Sequence, residues 1–96
     1  MKLVYPTDFE ILGFLAEEGR NNAVNIAVGL DRDRSYINTR LRTLADKDLV
    51  ERVGPAERSG LYEISERGEA AVEYEEAYRA EDVDFDAVIE DAVDGE

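Results

Sequence analysis

Apolar residues recur at helical spacing through the first half of the chain and at strand spacing just past its middle. Ile11, Leu12 and Leu15 share one face of a helix predicted over residues 8–18. Thr7 followed three residues later by Glu10 has the form of a capping box, and Gly19 stands where a helix end favours glycine. After the polar turn GRNN, the stretch AVNIAVGL predicts a short second helix with Val24, Ala27 and Val28 on its inward stripe, Ile26 and Leu30 beside it, and Asn21 or Asn22 as its cap. Ile37, Leu41 and Leu44 repeat at i, i+4 and i+7, which stacks them on the buried side of a third helix over residues 34–47, capped by Asp33.

The periodicity then changes from helical to alternating. LVERV and LYEIS read as two strands, with Tyr62 and Ile64 on one side of the second, joined by the loop GPAERSG whose turn residues are Gly54, Pro55 and Gly60. Ser65 caps a fourth helix carrying Ala70, Ala71, Tyr74, Ala77 and Tyr78 and reaching Ala80, with Gly68 tolerated in its first turn. From Glu81 the chain is mostly acid. It is either a solvated tail or a weak helix, with Phe85, Val88, Ile89 and Ala92 at helical spacing, that docks on its own domain or on a second copy. The expected architecture is mainly α with a small β-hairpin, in the order α-α-α-β-β-α, over residues 1–80, followed by an acidic tail or short helix over residues 81–96.

Composition narrows the chemistry. A chain of 96 residues with 44% apolar side chains is one small domain with a modest core. It has no cysteine and no histidine, which excludes disulfides, thiolate chemistry and the usual zinc ligand sets. The run Asp82, Asp84, Asp86 imitates the start of a calcium loop, but Ala87 stands where that loop needs its glycine and Val93 where it needs its glutamate. No set of carboxylates, hydroxyls and the two lysines forms a recognisable acid-base or nucleophile motif, so no catalytic residue, metal or cofactor is expected. No apolar stretch has the length of a membrane span, and the start MKLVYPTDF lacks the apolar block of a signal peptide, so the expected location is cytoplasmic.

Charge is unevenly distributed. Residues 1–68 hold 12 acids and 10 bases, a net of −2; residues 69–96 hold 12 acids and only Arg79, a net of −11, and together these make the −13 of the whole chain. Between Arg32 and Gly60 the balance reverses, with seven bases (Arg32, Arg34, Arg40, Arg42, Lys47, Arg52, Arg58) against five acids, a net of +2. Only two of the eleven bases are lysine while Asp and Glu make 24 of 96 residues. This resembles proteins of halophilic archaea, whose hydrated carboxylates keep them soluble in concentrated salt.

The segment SYINTRLRTL, residues 35–44, lies within the basic island and contains no acid. At about 100° per residue, the side of the third helix opposite Ile37, Leu41 and Leu44 is led by Ser35, Thr39 and Arg42, flanked by Tyr36, Asn38 and Thr43. That face is polar and free of carboxylates until Asp46 at the helix end. Arg40 has a wheel position near the buried stripe, where its stem could cover the second helix, and Tyr36 either stands on the polar face or packs beneath the hairpin.

The order of elements, together with NIA at 25–27, SYINTRLRTL at 35–44, DLVERVG at 48–54 and SGLYEISERGEA at 59–70, resembles the winged helix-turn-helix, in particular the phage-repressor-like regulators of haloarchaea. The resemblance covers Thr7 to about Tyr74 and is most specific where Leu-Tyr-Glu-Ile ends in a Ser cap with Gly68 three residues on. It implies that the third helix enters a DNA major groove while the hairpin, the wing, reaches along the backbone or into the minor groove. Major-groove contact then falls to Arg34, Ser35, Tyr36, Asn38, Thr39, Arg42 and Thr43, the helix N-terminus offers unpaired amides to phosphate, Arg58 is the wing contact, and Arg52 and Arg40 are secondary candidates. A carboxylate on such a face would meet two rows of phosphates in a poorly solvated slot.

The resemblance further implies a transcriptional repressor that works as a homodimer, through residues 66–93 with Tyr74, Tyr78, Phe85 and Ile89 as anchors, since one helix reads too few base pairs for useful specificity. No small-molecule ligand is expected. If the acidic segment folded over the third helix it would act as an inhibitory imitation of DNA. The rival reading is a winged-helix module that binds protein and never touches DNA. It would carry exposed apolar residues on its third helix rather than a polar face.

Overall fold

The computed structural model describes residues 1–56, 59–80 and 82–95. Their order is α1 (Thr7–Glu18), β1 (Asn21–Asn22), α2 (Ala23–Leu30), α3 (Arg34–Asp46), β2 (Val50–Val53), β3 (Leu61–Ile64), α4 (Glu66–Glu73), α5 (Glu75–Arg79) and α6 (Phe85–Asp94). The helices at the start of the chain converge on one core. Ile11, Leu12 and Leu15 of α1, Ile26 of α2, and Ile37, Leu41 and Leu44 of α3 are at most 1% exposed, as is Leu49 at the root of β2. Fully burying one such side chain stabilises by about 1.5–3 kcal/mol.

The start of α1 departs from the capping-box pattern. The helix begins at Thr7, with Pro6 at the cap position and no side-chain cap, and Glu10 reaches Arg32 instead of the backbone, at 2.6 Å. Asp8 takes over the role of an acceptor, receiving the Val4 amide at 2.7 Å. Gly19 ends the helix as expected, at φ +83°.

In α2 the buried stripe is Ala23, Ile26 and Ala27, while Val24 and Val28 point outward, contrary to the expected stripe. The reason is local: AVNIAVGL offers Asn25 as its lone polar residue, so two apolar faces compete and periodicity cannot choose between them. The polar turn before it is also more than a turn. Asn21 and Asn22 pair with Tyr62 and Leu61, which makes a three-stranded antiparallel sheet in the order β1-β3-β2. Asn22 then caps α2 through its side-chain oxygen, 2.8 Å from the Asn25 amide.

The hairpin of β2 and β3 pairs Val50 with Ile64 and Val53 with Leu61. Its loop end is closed by the Ser59 hydroxyl, which donates to the Val53 carbonyl. Ser65 follows, donating to the Asp48 carbonyl at 2.6 Å and accepting from the Gly68 amide at 3.1 Å. Gly68 is required there. A Cβ at this position would overlap the Leu49 carbonyl oxygen and lie 2.6 Å from Ile64 Cγ1. That carbonyl is held in place by the Ser65 amide at 3.1 Å.

The single helix expected from Ser65 to Ala80 breaks at Tyr74, where φ is −106° and ψ 29°. No glycine or proline marks the break. Beyond it, Tyr78 packs its ring 5.2 Å from Phe9 and 5.1 Å from Phe85, while its hydroxyl accepts from the Leu3 amide at 2.9 Å and donates to the Leu3 carbonyl at 2.7 Å.

The acidic end of the chain contains α6, capped by Asp84 and packed against α4 and α5. Phe85 and Ile89 are buried in the protomer's own core, so they cannot also anchor a second copy; that apolar face is already covered. Tyr78 is committed to Leu3 and Phe85 in the same way, leaving Tyr74 as the exposed member of the four expected anchors. Because α6 packs on α4 and α5, it does not cover α3 as an imitation of DNA would.

Candidate nucleic-acid interface

The relation of α2 to α3 is set by a tight turn. Asp31 caps α2 in the left-handed conformation at φ +55°, one of the residue types that tolerates it, and the Arg32 amide returns to the Ala27 carbonyl at 2.9 Å. Two residues later Asp33 starts α3, its carboxylate accepting from the Tyr36 amide at 2.9 Å. One of the amides expected to meet phosphate is therefore already taken, by a side chain of like charge to DNA.

Ile37, Leu41 and Leu44 turn inward, which leaves Arg34, Ser35, Thr39 and Arg42 exposed on the far side of α3. Tyr36 stands beside them, 39% exposed rather than packed beneath the wing, and Asn38 and Thr43 are half-buried on the flank. The hydroxyls of Thr39 and Thr43 donate back to the carbonyls of Ser35 and Thr39, at 3.1 and 3.3 Å. Their methyl groups and remaining lone pairs, rather than their protons, are available to an incoming ligand.

Ion pairing separates the arginines into two groups. Arg32 is bound to Glu10 at 2.6 Å, Arg20 lies 3.9 Å from Glu63, and Arg67 is paired with Glu90. Arg40 forms a two-pronged pair with the fully buried Asp8, through Nε at 2.9 Å and Nη2 at 2.7 Å. Hydrogen bonding by Asp8 holds the Arg40 guanidinium above its ordinary range, against the opposing effect of burial. Arg40 is accordingly a structural residue that staples α3 to α1, not a member of the outward face. Among the described residues, Arg34 and Arg42 have no carboxylate within 4 Å. Arg52 lies exposed on β2 with its guanidinium carbon 5.9 Å from the centre of the Tyr62 ring. Arg58 lies outside the described residues.

An open cleft of about 520 Å³ separates the start of α2, the start of α3 and the loop end of the wing. Arg34, Ser35 and Asn38 form one wall, Asn22, Ala23 and Val24 another, and Ser59 and Gly60 the third. Gly60 is at φ +81°, which brings the chain back from the loop into β3. The residues contributed by α2 and the loop end of the wing were not among those expected from sequence. A signal for α2 was present: from Gly19 to Leu30 the chain holds no acid, so the carboxylate-free surface extends from α3 onto α2.

Three helices, a sheet whose last two strands form a wing, and an exposed second helix of the helix-turn-helix define a winged helix-turn-helix. Residues 6–51 match the family of winged helix-turn-helix DNA-binding domains, a span that runs from the start of α1 into β2. The match supports a DNA-binding transcription regulator with double-stranded DNA as its partner. No curated protein and no solved structure matches the chain. No helix among the described residues is long and apolar enough to cross a membrane, and none of them form a group of three or more acids able to hold a metal ion.

Proposed function

We propose that the protein is a sequence-specific repressor of a halophilic archaeon that inserts α3 into the major groove and lays the wing, with Arg58 as its expected contact and Arg52 on its strand, along the backbone or minor groove. The observation that carries this reading is the separation of the arginines. Arg20, Arg32, Arg40 and Arg67 are paired with carboxylates and Arg79 lies 5.3 Å over the Tyr5 ring, whereas Arg34 and Arg42 project from α3 with no carboxylate within 4 Å among the described residues. Arg34 and Arg42 are suited to paired hydrogen bonds with guanine, Asn38 to adenine, and Ser35, Tyr36, Thr39 and Thr43 to sugar, phosphate or thymine methyl contacts.

The strongly negative total charge is compatible with this role in concentrated salt. Counterion release contributes little there, because affinity falls with salt for each phosphate neutralised, so a few well-placed arginines and the shape of the contact supply most of the binding. Hydrated carboxylates, concentrated in residues 69–96, keep the protein soluble. Repression would follow from blocking access to a promoter, and a two-fold pair reading two half-sites provides the needed length of DNA. Tyr74 and the exposed surface of residues 66–93 are the dimer contact in this reading.

The rival, a module that binds protein alone, draws on Val28, which is 78% exposed on α2. Selection of bound fragments from a random duplex pool in about molar potassium chloride, with Arg42→Ala as control, decides between them. A short motif that disappears with the substitution supports the regulator. A folded protein that enriches no DNA supports the module.

A further inference from the structure

We infer that Val24 is a specificity-determining residue that reads the C5-methyl group of a thymine, so each bound half-site carries a thymine beside the bases contacted by Arg34 and Asn38. This rests on the DNA-binding reading above.

Val24 is 45% exposed although it is a large apolar residue, and it forms part of the cleft wall facing Arg34, Ser35 and Asn38. Its exposure is a consequence of α2 burying Ala23, Ile26 and Ala27 instead. A β-branched side chain within a helix is held in one main rotamer, so the Val24 methyls are fixed in direction before any ligand arrives. The surface around it excludes like charge: residues 21–30 hold no charged side chain at all, in a chain of which 36% is charged.

The chemistry of the cleft selects the occupant. Phosphate and sugar oxygens gain nothing from a valine, and the acceptors and donors of base edges suit Arg34 and Asn38 across the cleft. The apolar group that the major groove of unmodified DNA presents is the thymine methyl. A C5-methyl on cytosine offers the same contact, and the test separates the two sources.

The test starts from the motif enriched by the wild-type protein in about molar potassium chloride. Each thymine of that duplex is replaced in turn by deoxyuridine, which removes the methyl and keeps the Watson–Crick edge, and each cytosine by 5-methylcytosine. Removing one buried methyl corresponds to about a fourfold loss of affinity. One thymine in each half-site is expected to show that loss with the wild type. Val24→Ser is expected to bind the thymine and deoxyuridine duplexes equally, and to bind the thymine duplex about fourfold more weakly than the wild type does. Val24→Thr, nearly the same shape, repeats the measurement should the serine variant fold poorly.

Wild-type binding that is unaffected by every deoxyuridine overturns the proposal while leaving DNA binding intact. So does a deoxyuridine effect that persists undiminished in both Val24 variants, or affinity gained at a methylated cytosine with no thymine dependence. A wild type that binds no duplex overturns this inference together with the reading beneath it.

Discussion

Asp8, fully buried at the start of α1, receives Nε and Nη2 of Arg40 on α3 while also accepting the Val4 amide at 2.7 Å. Each carboxylate oxygen has a partner, and among the described residues no buried side-chain polar atom is left without one. The two partners are not equally placed: Asp8 has no exposure, whereas the Arg40 side chain keeps 14% and a route to water.

Arg40→Ala is therefore expected to cost about 3–5 kcal/mol, because it leaves a buried carboxylate without its counter-charge. Asp8→Ala is expected to cost less, since Arg40 can turn outward, and the double variant less than the sum. Denaturant unfolding of the four proteins at matched salt measures this. Equal costs, or simple additivity, would contradict the picture. The raised Arg40 pKa makes its contribution complete below the ordinary arginine range and lost only as pH rises above it, so the difference between wild type and Arg40→Ala stays level across moderately alkaline pH.

Arg34→Ala and Arg42→Ala are expected to reduce affinity for the selected duplex by about tenfold to a hundredfold each, with thermal stability unchanged, because both side chains are exposed and unpaired among the described residues. Lys2→Ala, an exposed cation outside α3 and outside residues 66–93, is the comparison and should bind DNA as the wild type does. Fluorescence anisotropy on labelled duplex in molar salt provides the readout.

Gly68→Ala is expected to destabilise by about 1–3 kcal/mol or to shift α4 from the wing root. The added methyl meets the Leu49 carbonyl, which cannot give way without breaking its hydrogen bond with the Ser65 amide. A variant with unchanged thermal midpoint would show that α4 is looser on the sheet than described.

Ile89→Ala, in the centre of α6, is expected to cost about 2–5 kcal/mol, a loss appropriate to a core residue and not to a solvated tail. Deleting residues 81–96 is expected to lower stability for the same reason, exposing Phe9 and Tyr78. If either change leaves the denaturation midpoint where it was, α6 is not part of the core in solution.

The third helix was the most legible element. Ile37, Leu41 and Leu44 at strict helical spacing, with Asp33 before them and polar residues opposite, leave one arrangement that buries the apolar face, and α3 adopts it. The hairpin and the Ser65 cap were equally readable from alternation and turn chemistry. The phase of α2 was not. Nearly every residue of AVNIAVGL is apolar, and the choice of Ile26 over Val28 for the core depends on what α1 and α3 present to it.

Sequence by itself determined the three helices before the hairpin, the hairpin, the polar face of α3 and the absence there of carboxylates, because each depends on spacing within a single segment. Tertiary structure decided which arginines are free. Arg40 and Arg42 are two residues apart on the same helix, yet one meets Asp8, 32 positions earlier, and the other meets none of the described carboxylates. It also decided that Asn21 and Asn22 would extend the sheet, that Val24 would face the cleft and that Phe85 and Ile89 would complete the core. These are contacts between segments distant in sequence, and periodicity within one segment carries no information about what another will bring to it.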